Sequence, residues 1–312
     1  MENKRVFVTG GAGTLGRALI SRGEAEDWHV KWTVYSRDPV KHQALKRMFP
    51  HADITPILGD VADLGRMEIA MVGHDMVIHA GAQKHIPEAE ANPWDCVVTN
   101  VIGSRYVALA AVGAGVKRVV GLSTDKAAES VNVYGHSKGM MEGIFLEMAR
   151  VQEETVFTLC RYGNVLGSTG SVLTVWDNQM KEGLPITITD GEMTRFWLTE
   201  DDAVDLILKA LEVETGTIVV PIAPGLDMLT FAKYLMGDDV AIKEIGRRPG
   251  EKKHECLLGR EEFHYAVSHG GYIFLNKNDP PFEGEYRDGY YSNTTYNRIS
   301  RDKLRDMVGW ES

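Results

Sequence analysis

The first half of the chain alternates short apolar, β-branched runs with amphipathic stretches a few turns long. "RVFVTG" reads as a strand, "GTLGRALISRGEA" as a helix, "VKWTVYS" as a strand and "PVKHQALKRMF" as a helix. The alternation continues through "ITPILGD", "ADLGRMEIAMVG", "MVIHAGA", "VIGSRYVALAAVGAG" and "RVVGLST". Units of this length require right-handed crossovers, so they predict a parallel sheet covered by helices. A further helix around 137–152 and the strand "FTLCRYGNV" extend it. After about Gly167 the regularity breaks. "LTEDDAVDLILKALE" keeps a helical period, with Leu198, Val204, Ile207, Leu208 and Leu211 on one face, and "GTIVVPI" reads as one more strand. "MLTFAKYLMG" is a short helix, and the Gly-, Pro- and aromatic-rich stretch 259–288 reads as loop. "SRDKLRDMVGW" closes the chain as a helix capped by Ser300. The pattern predicts an α/β protein with a doubly wound domain over 1–167, to which 196–222 returns. The smaller, substrate-binding domain is built mainly from 168–312.

Composition narrows the class. With 312 residues, 44% hydrophobic and 25% charged, the chain has an ordinary globular make-up and length for two parts sharing a seam. A formal net charge of -10 argues against a nucleic-acid partner, which needs a basic face, yet leaves room for a local cationic pocket. Cys96, Cys160 and Cys256 are odd in number and widely spaced, which fits a reducing compartment and no disulfide framework. "MENKRVFVTG" carries no signal-peptide pattern, and the apolar region 97–122 is interrupted by Arg105, Lys117 and Arg118. The expectation is a cytoplasmic protein with no membrane partner. "KHECLL", with His254 and Glu255, lacks the partners of a metal site and reads as structural, so no metal is expected.

Candidate chemistry starts at "TGGAGTLG", between the first strand and the first helix. Gly10, Gly13 and Gly16, with Thr14 and Leu15 between them, give the tight turn, the close approach and the helix–strand contact that a pyrophosphate site needs. The second strand ends in "VYSRDPVK". A hydroxyl and two cations there, Ser36, Arg37 and Lys41, suit a 2′-phosphate, so NADP is favoured over NAD. Asp38 is the residue that would serve NAD if it turned inward in place of Arg37. Asp60 and Val61 in "GDVAD" fall near the adenine, and Ala80, Gly81 and Ala82 in "HAGAQKH" are small where backbone must pass close to the cofactor. Val165 completes this set.

The stretch "LSTDKAAESVNVYGHSK" holds Tyr134 and Lys138 four apart, a weak signal by itself. Combined with the glycine motif, "GDVAD" and "HAGAQKH", it resembles the extended short-chain dehydrogenase/reductase superfamily. "LSTDKA", "RYGNVLGSTGSV", "ITDGEMTRFWLT" and "RRPGEKKHE" are similar to the inverting UDP-N-acetylglucosamine 4,6-dehydratases, whose soluble members open pseudaminic-acid or capsular-sugar pathways. The resemblance runs from Val6 to about Glu255. It implies a Rossmann-type fold, retained NADP, a UDP-sugar substrate and a homo-oligomer, dimer or hexamer. By the same resemblance Tyr134 and Lys138 match the catalytic tyrosine and lysine, which also contact the cofactor. Thr124 matches the hydroxyl on the sugar's 4-OH, and Asp125 and Lys126 match the acid and base of elimination. Lys84, His85, Asn164, Thr169, Val172, Arg195, Arg248 and Glu251 fall where that family holds its nucleotide sugar. The chain departs from the family at Gly81 and Gln83, and at Glu129 and Ser130 where Asn-Pro is usual.

The implied reaction sets requirements. The carbon-5 proton of a hexose becomes acidic only once carbon 4 is a ketone. Tyr134 would take the 4-OH proton, its pKa lowered from about 10 by Lys138, with NADP+ as the two-electron acceptor. Asp125 would serve as acid if its pKa is raised, and Lys126 as base if its pKa is lowered. Related glucose-nucleotide dehydratases resemble this chain but read Thr-Asp-Glu where it has Thr-Asp-Lys, which favours the inverting course. A UDP-sugar 4-epimerase and a non-catalytic NADP-binding module are the alternatives.

Overall fold

The structure is a computed structural model that describes residues 1–168, 170–276, 288–294 and 299–309. Thr169 lies outside the described residues. Six strands come from the first half: β1 (Arg5–Thr9), β2 (Lys31–Ser36), β3 (Asp53–Leu58), β4 (Met76–His79), β5 (Arg118–Leu122) and β6 (Val156–Cys160). They pair in parallel in the order β3-β2-β1-β4-β5-β6. β1, β2, β4, β5 and β6 are buried nearly throughout because both faces are covered, whereas β3, at the sheet edge, keeps exposed positions. Along β1, Val6 and Val8 enter one core and Phe7 the opposite one, the two-residue alternation of a strand between helical layers. Strand order reverses between β1 and β4, which opens a crevice at the carboxyl ends of the strands.

Within 196–222, the helix Glu200–Ala210 and the strand Ile218–Pro221 pack on or join this sheet, whereas Thr194–Leu198 pairs in a separate three-stranded sheet with Asn164–Val165 and Gly225–Asp227. The helix Glu200–Ala210, started by a Thr199–Asp202 capping box, buries Val204, Leu206 and Ile207 in the core that holds Leu19. The strand Ile218–Pro221 then pairs in parallel with β6.

The stretch 259–288 is not all loop. Ala266–His269 and Tyr272–Leu275 form an antiparallel hairpin that pairs onto Ile218–Pro221, giving a nine-stranded sheet. Gly270 and Gly271 are its two-residue turn, with φ of +59° and +84°. Two positive φ values in sequence match the right-handed twist of the flanking strands, and glycine takes them without strain.

The later segments build a separate apolar cluster above the crevice. Trp197 stacks on Phe231 with ring centroids 3.9 Å apart, and Trp176 packs beside them. The closing helix Arg301–Met307 is capped by Ser300, which accepts from Lys303 N, and it buries Leu304 in the same cluster. One continuous helical run, Pro93–Gly113, is long and apolar enough to cross a bilayer by length and composition, contrary to the reading of 97–122. In the fold its inner face is packed, with Cys96, Asn100, Val107, Ala108 and Ala111 all buried.

Candidate functional site

The loops after β1, β2 and β4 meet at the crevice. Gly10 has φ +63°, and a Cβ there would stand 2.8 Å from the Gly81 backbone, so the first and fourth loops touch main chain to main chain. A Cβ on Gly16 would lie 1.9 Å from the Gly11 carbonyl oxygen. The helix Thr14–Ala25 starts at Gly13 with no side-chain cap and no acid in its first turn. A helix N-terminus with no carboxylate in its first turn favours an anion there through its dipole. This cradle fits a dinucleotide pyrophosphate.

At the end of β2, Asp38 caps the helix Pro39–Met48: its Oδ1 accepts from Val40 N at 2.9 Å and Lys41 N at 3.0 Å. The backbone bond from Lys41 leads the causes that hold its carboxyl below the usual range. Asp38 is thus committed to the helix, while Arg37 reaches Asp60 at 3.3 Å and Ser36 Oγ pairs with His42 Nε2 at 2.7 Å.

Thr124, Asp125 and Lys126 follow β5, and Tyr134 and Lys138 lie one turn apart on the helix Val133–Val151. Asn132 starts that helix by accepting from Gly135 N at 2.7 Å. The packing is close, for a Cβ on Gly135 would lie 2.2 Å from the Lys126 carbonyl oxygen. A cavity of about 1040 Å³ runs from Gly10 and Arg37, past Thr124 and Tyr134, to Arg195 and Arg248. Of the described residues expected in the site, all line it except Gly16, Asp60, Asp125 and Lys138. Gly16 packs helix on loop, and Asp60 accepts from Arg37 and from Ala62 N. Asp125 and Lys138 stand behind the wall.

Thr124 Oγ1 donates to Asp125 Oδ1 at 2.9 Å and shares a hydrogen bond with Tyr134. Burial pushes the Tyr134 hydroxyl up to about 12, and the cation that opposes this rise is Lys126. The expectation that Lys138 lowers Tyr134 is not met. Lys138 Nζ lies 2.9 Å from Met141 Sδ, and burial draws its own pKa down to about 8.

Burial raises the Asp125 carboxyl, as an acid requires, and its Oδ2 has no hydrogen-bond partner. Lys126 goes the other way from expectation. Burial would lower it, but Asp125 at 3.0 Å and Glu255 at 3.2 Å outweigh that and hold it well above its usual value. Lys126 therefore rests as an ammonium.

Two polar groups escaped the sequence reading. Glu255, 2% exposed, was grouped with His254 as structural, yet it carries Lys126. Asn100 sits in a π-turn, Val98–Ile102, and ties the Gln83 backbone (2.8 and 2.9 Å) to Ser137 (2.9 Å). Its only signal was an amide inside the apolar run "CVVTNVIG".

The chain matches, over residues 6–277, the sequence family described as "Polysaccharide biosynthesis protein". It is 35% identical over 279 residues, 88% of this chain and 83% of the relative, to a "UDP-N-acetylglucosamine 4,6-dehydratase (inverting)" of Campylobacter jejuni subsp. jejuni serotype O:23/36. It is 37% identical over 321 residues, 98% and 94% of the two chains, to a "UDP-glucose 4-epimerase" of Rickettsia typhi. Among solved structures, Pen from Bacillus thuringiensis superposes with a TM-score of 0.90 at 31% identity, covering 100% of this chain and 98% of that one. DesIV, a dTDP-glucose 4,6-dehydratase from Streptomyces venezuelae solved with NAD, shares the fold at a TM-score of 0.70 and 22% identity, covering 80% and 86%.

Proposed function

The chain belongs to the polysaccharide-biosynthesis family of extended short-chain dehydrogenases/reductases, and from that premise we propose a specific nucleotide-sugar dehydratase. Its reaction removes water across carbons 5 and 6 of UDP-N-acetylglucosamine, through transient oxidation at carbon 4, and inverts carbon 5. One observation carries this reading: the buried Asp125–Lys126 pair beside Thr124 and Tyr134. Epimerisation at carbon 4 needs a proton-exchanging tyrosine and a redox cofactor, and leaves that pair without a task.

NADP is the cofactor of this reading, with Gly10, Gly13, Thr14 and Leu15 at its pyrophosphate and Ser36, Arg37 and Lys41 at its 2′-phosphate. The commitment of Asp38 to its helix cap supports this choice. When bound, NADP+ supplies a reversible two-electron acceptor. Tyr134 and Thr124 exchange the proton of the sugar's 4-hydroxyl. Asp125 is the acid and reaches the cavity through Thr124 and Lys126, which line it. Lys126 is the base, after it has shed the proton it holds at rest. Lys84, Arg195 and Arg248 place cations along the sugar-nucleotide end, a local cationic surface on a chain of net charge -10. The three cysteines are unpaired and buried, in keeping with a reducing compartment, and the reading includes the cytoplasm and a homo-oligomer.

Incubation with UDP-N-acetylglucosamine should give a product lighter by one water, with inverted carbon 5 by NMR and no net consumption of cofactor. The second reading, 4-epimerisation, is favoured by relatives named as UDP-glucose 4-epimerases. It predicts an isomer of unchanged mass, and that result would overturn the dehydratase.

A further inference from the structure

The Asp125–Lys126 pair has a third member, brought in from far along the chain. Glu255 precedes the strand Cys256–Leu258, and its backbone is pinned on both sides by Ser292, whose Oγ accepts from Glu255 N and whose N–H donates to Glu255 O, each at 2.9 Å. Its carboxylate is thereby aimed at the wall of the cavity. Glu255 Oε1 lies 3.2 Å from Lys126 Nζ and 3.8 Å from Arg195 Nε, while Oε2 accepts no hydrogen bond and is 3.9 Å from Lys252 Nζ. The other two cations are already engaged. Lys252 Nζ donates to the Ala128 carbonyl at 2.6 Å, and Arg195 Nη1 donates to the Thr194 carbonyl at 2.7 Å. Lys126, though also bonded to Asp125, is the cation nearest to the Glu255 carboxylate at 3.2 Å, and a buried carboxylate is costly unless paired.

The result is one ammonium between two buried carboxylates, and of the three groups Lys126 alone lines the cavity. The ionisable groups around Lys126 are Asp125, Glu255, Arg195 and Tyr134. Those around Glu255 are Lys126, Arg195, Lys252 and Asp125, and Asp125 also faces Tyr162.

We propose that Glu255 is a positioning residue for the elimination step: it clamps Lys126 Nζ against Asp125, fixing where the amine stands and how firmly it keeps its proton. The inference rests on the dehydratase reading. In that step the proton on Lys126 passes to Asp125, 3.0 Å away, and the neutral amine takes the carbon-5 proton. The C–H electron pair becomes the carbon-5 to carbon-6 double bond, the C–O bond at carbon 6 breaks, and the Asp125 proton leaves with the hydroxyl as water. Glu255 touches none of these atoms. It acts through Lys126.

Two measurements on Glu255→Gln test this. The first is competitive acylation of amines across pH, with the Lys126 peptide read by mass spectrometry, which needs no turnover. The second is the pH profile of water loss from UDP-N-acetylglucosamine, set beside cofactor reduction in the oxidation half-reaction. Removing one negative charge from the clamp should shift the Lys126 titration, and the limb of the water-loss profile that rises with pH, at least one pH unit to the acid side. Water loss at the plateau should fall at least tenfold, with the oxidation half-reaction changed less than threefold. Glu255→Asp keeps the charge but draws it back by one methylene, so it should lie between the two, and it carries the test if Glu255→Gln does not fold. An unmoved titration and an unmoved limb overturn the clamp, as does an equal fall in both half-reactions with no shift in pH. Wild-type product of unchanged mass instead overturns the dehydratase reading, and the clamp falls with it.

Discussion

His79 ends β4 fully enclosed, with Thr9 Oγ1 2.7 Å from one ring nitrogen and Ser104 Oγ 2.9 Å from the other. Burial, helped by the Lys138 charge, draws its pKa down to about 3, against about 6.5 in an unfolded chain. Below 6.5 the unfolded state binds a proton that the folded state refuses. The stability this contributes is whole above that pH and is lost as pH falls toward 3, by about 1.4 kcal/mol per unit. Burial lowers His42 and His74 too, so they act in the same direction. Urea unfolding should show a steep loss of stability between pH 6.5 and 4.5, and His79→Asn should flatten the slope by about one proton; an unchanged slope refutes the assignment. A second residue-scale prediction concerns Arg37, which sits half in solvent at the cavity rim. A charge-assisted hydrogen bond to a 2′-phosphate is worth about 1.5–3 kcal/mol. Arg37→Ala should therefore weaken NADP binding roughly tenfold to a hundredfold and leave NAD binding nearly unchanged, as read by titration of tryptophan fluorescence. At this scale the sequence placed Gly10, Gly13, Ser36 and Arg37 at the loop ends that the structure brings to the cavity. It was silent where a value depends on enclosure. Nothing in "STDK" says that Lys126 will lie between two carboxylates, because one of them arrives from "KHECLL" only when the chain has folded.

Elements show the same division. Five of the first six strands were readable because strands buried on both faces are largely apolar, β3 at the edge by its β-branched run, and the Gly-rich turn after β1 marks its own geometry. The hairpin 266–275 was missed although its signal was present: "AVSHGGYIFL" has Gly-Gly between two short β-prone runs, which specifies a two-residue turn. Composition over the whole stretch, rich in Gly and Pro, masked that local pattern. The Gly10 turn carries a prediction of its own. Gly10→Ala would force a side chain onto a residue at φ +63° and push its Cβ to 2.8 Å from Gly81. Left-handed strain alone costs about 1–2 kcal/mol, and the contact with backbone cannot relax by a rotamer change. The variant should melt several degrees lower and elute without dinucleotide; a variant that retains both stability and cofactor would show that the two loops do not need this contact.

The molecule as a whole works at a seam. Thr124, Lys126 and Tyr134 come from the central sheet side, whereas Arg195, Arg248 and Glu255 come from later segments, so the chemistry depends on how the two are held together. Arg161, just past β6 and 2% exposed, is the knot. Its guanidinium bonds Glu142 at 2.6 and 3.0 Å, Glu262 at 2.7 and 2.9 Å, and the Leu257 carbonyl at 3.0 Å. It thus joins the helix that carries Tyr134 to the segment that follows Glu255. Such a buried cluster is weak as a net source of stability, since desolvating its members offsets their attraction, but breaking it from one side strands charge in the interior. Arg161→Met should cost about 3–5 kcal/mol in urea unfolding for that reason. Adding Glu142→Met removes the more buried of the two stranded carboxylates, so the double variant should be more stable than Arg161→Met alone, recovering more than half of the loss. It should still turn over poorly, because the helix and the segment after Glu255 lose the directed bonds that Arg161 supplies between them. If the second substitution instead deepens the loss, Arg161 holds the seam through its own contacts to Leu257 and Glu262, and Glu142 is there to anchor Ser123, to which it is also hydrogen-bonded.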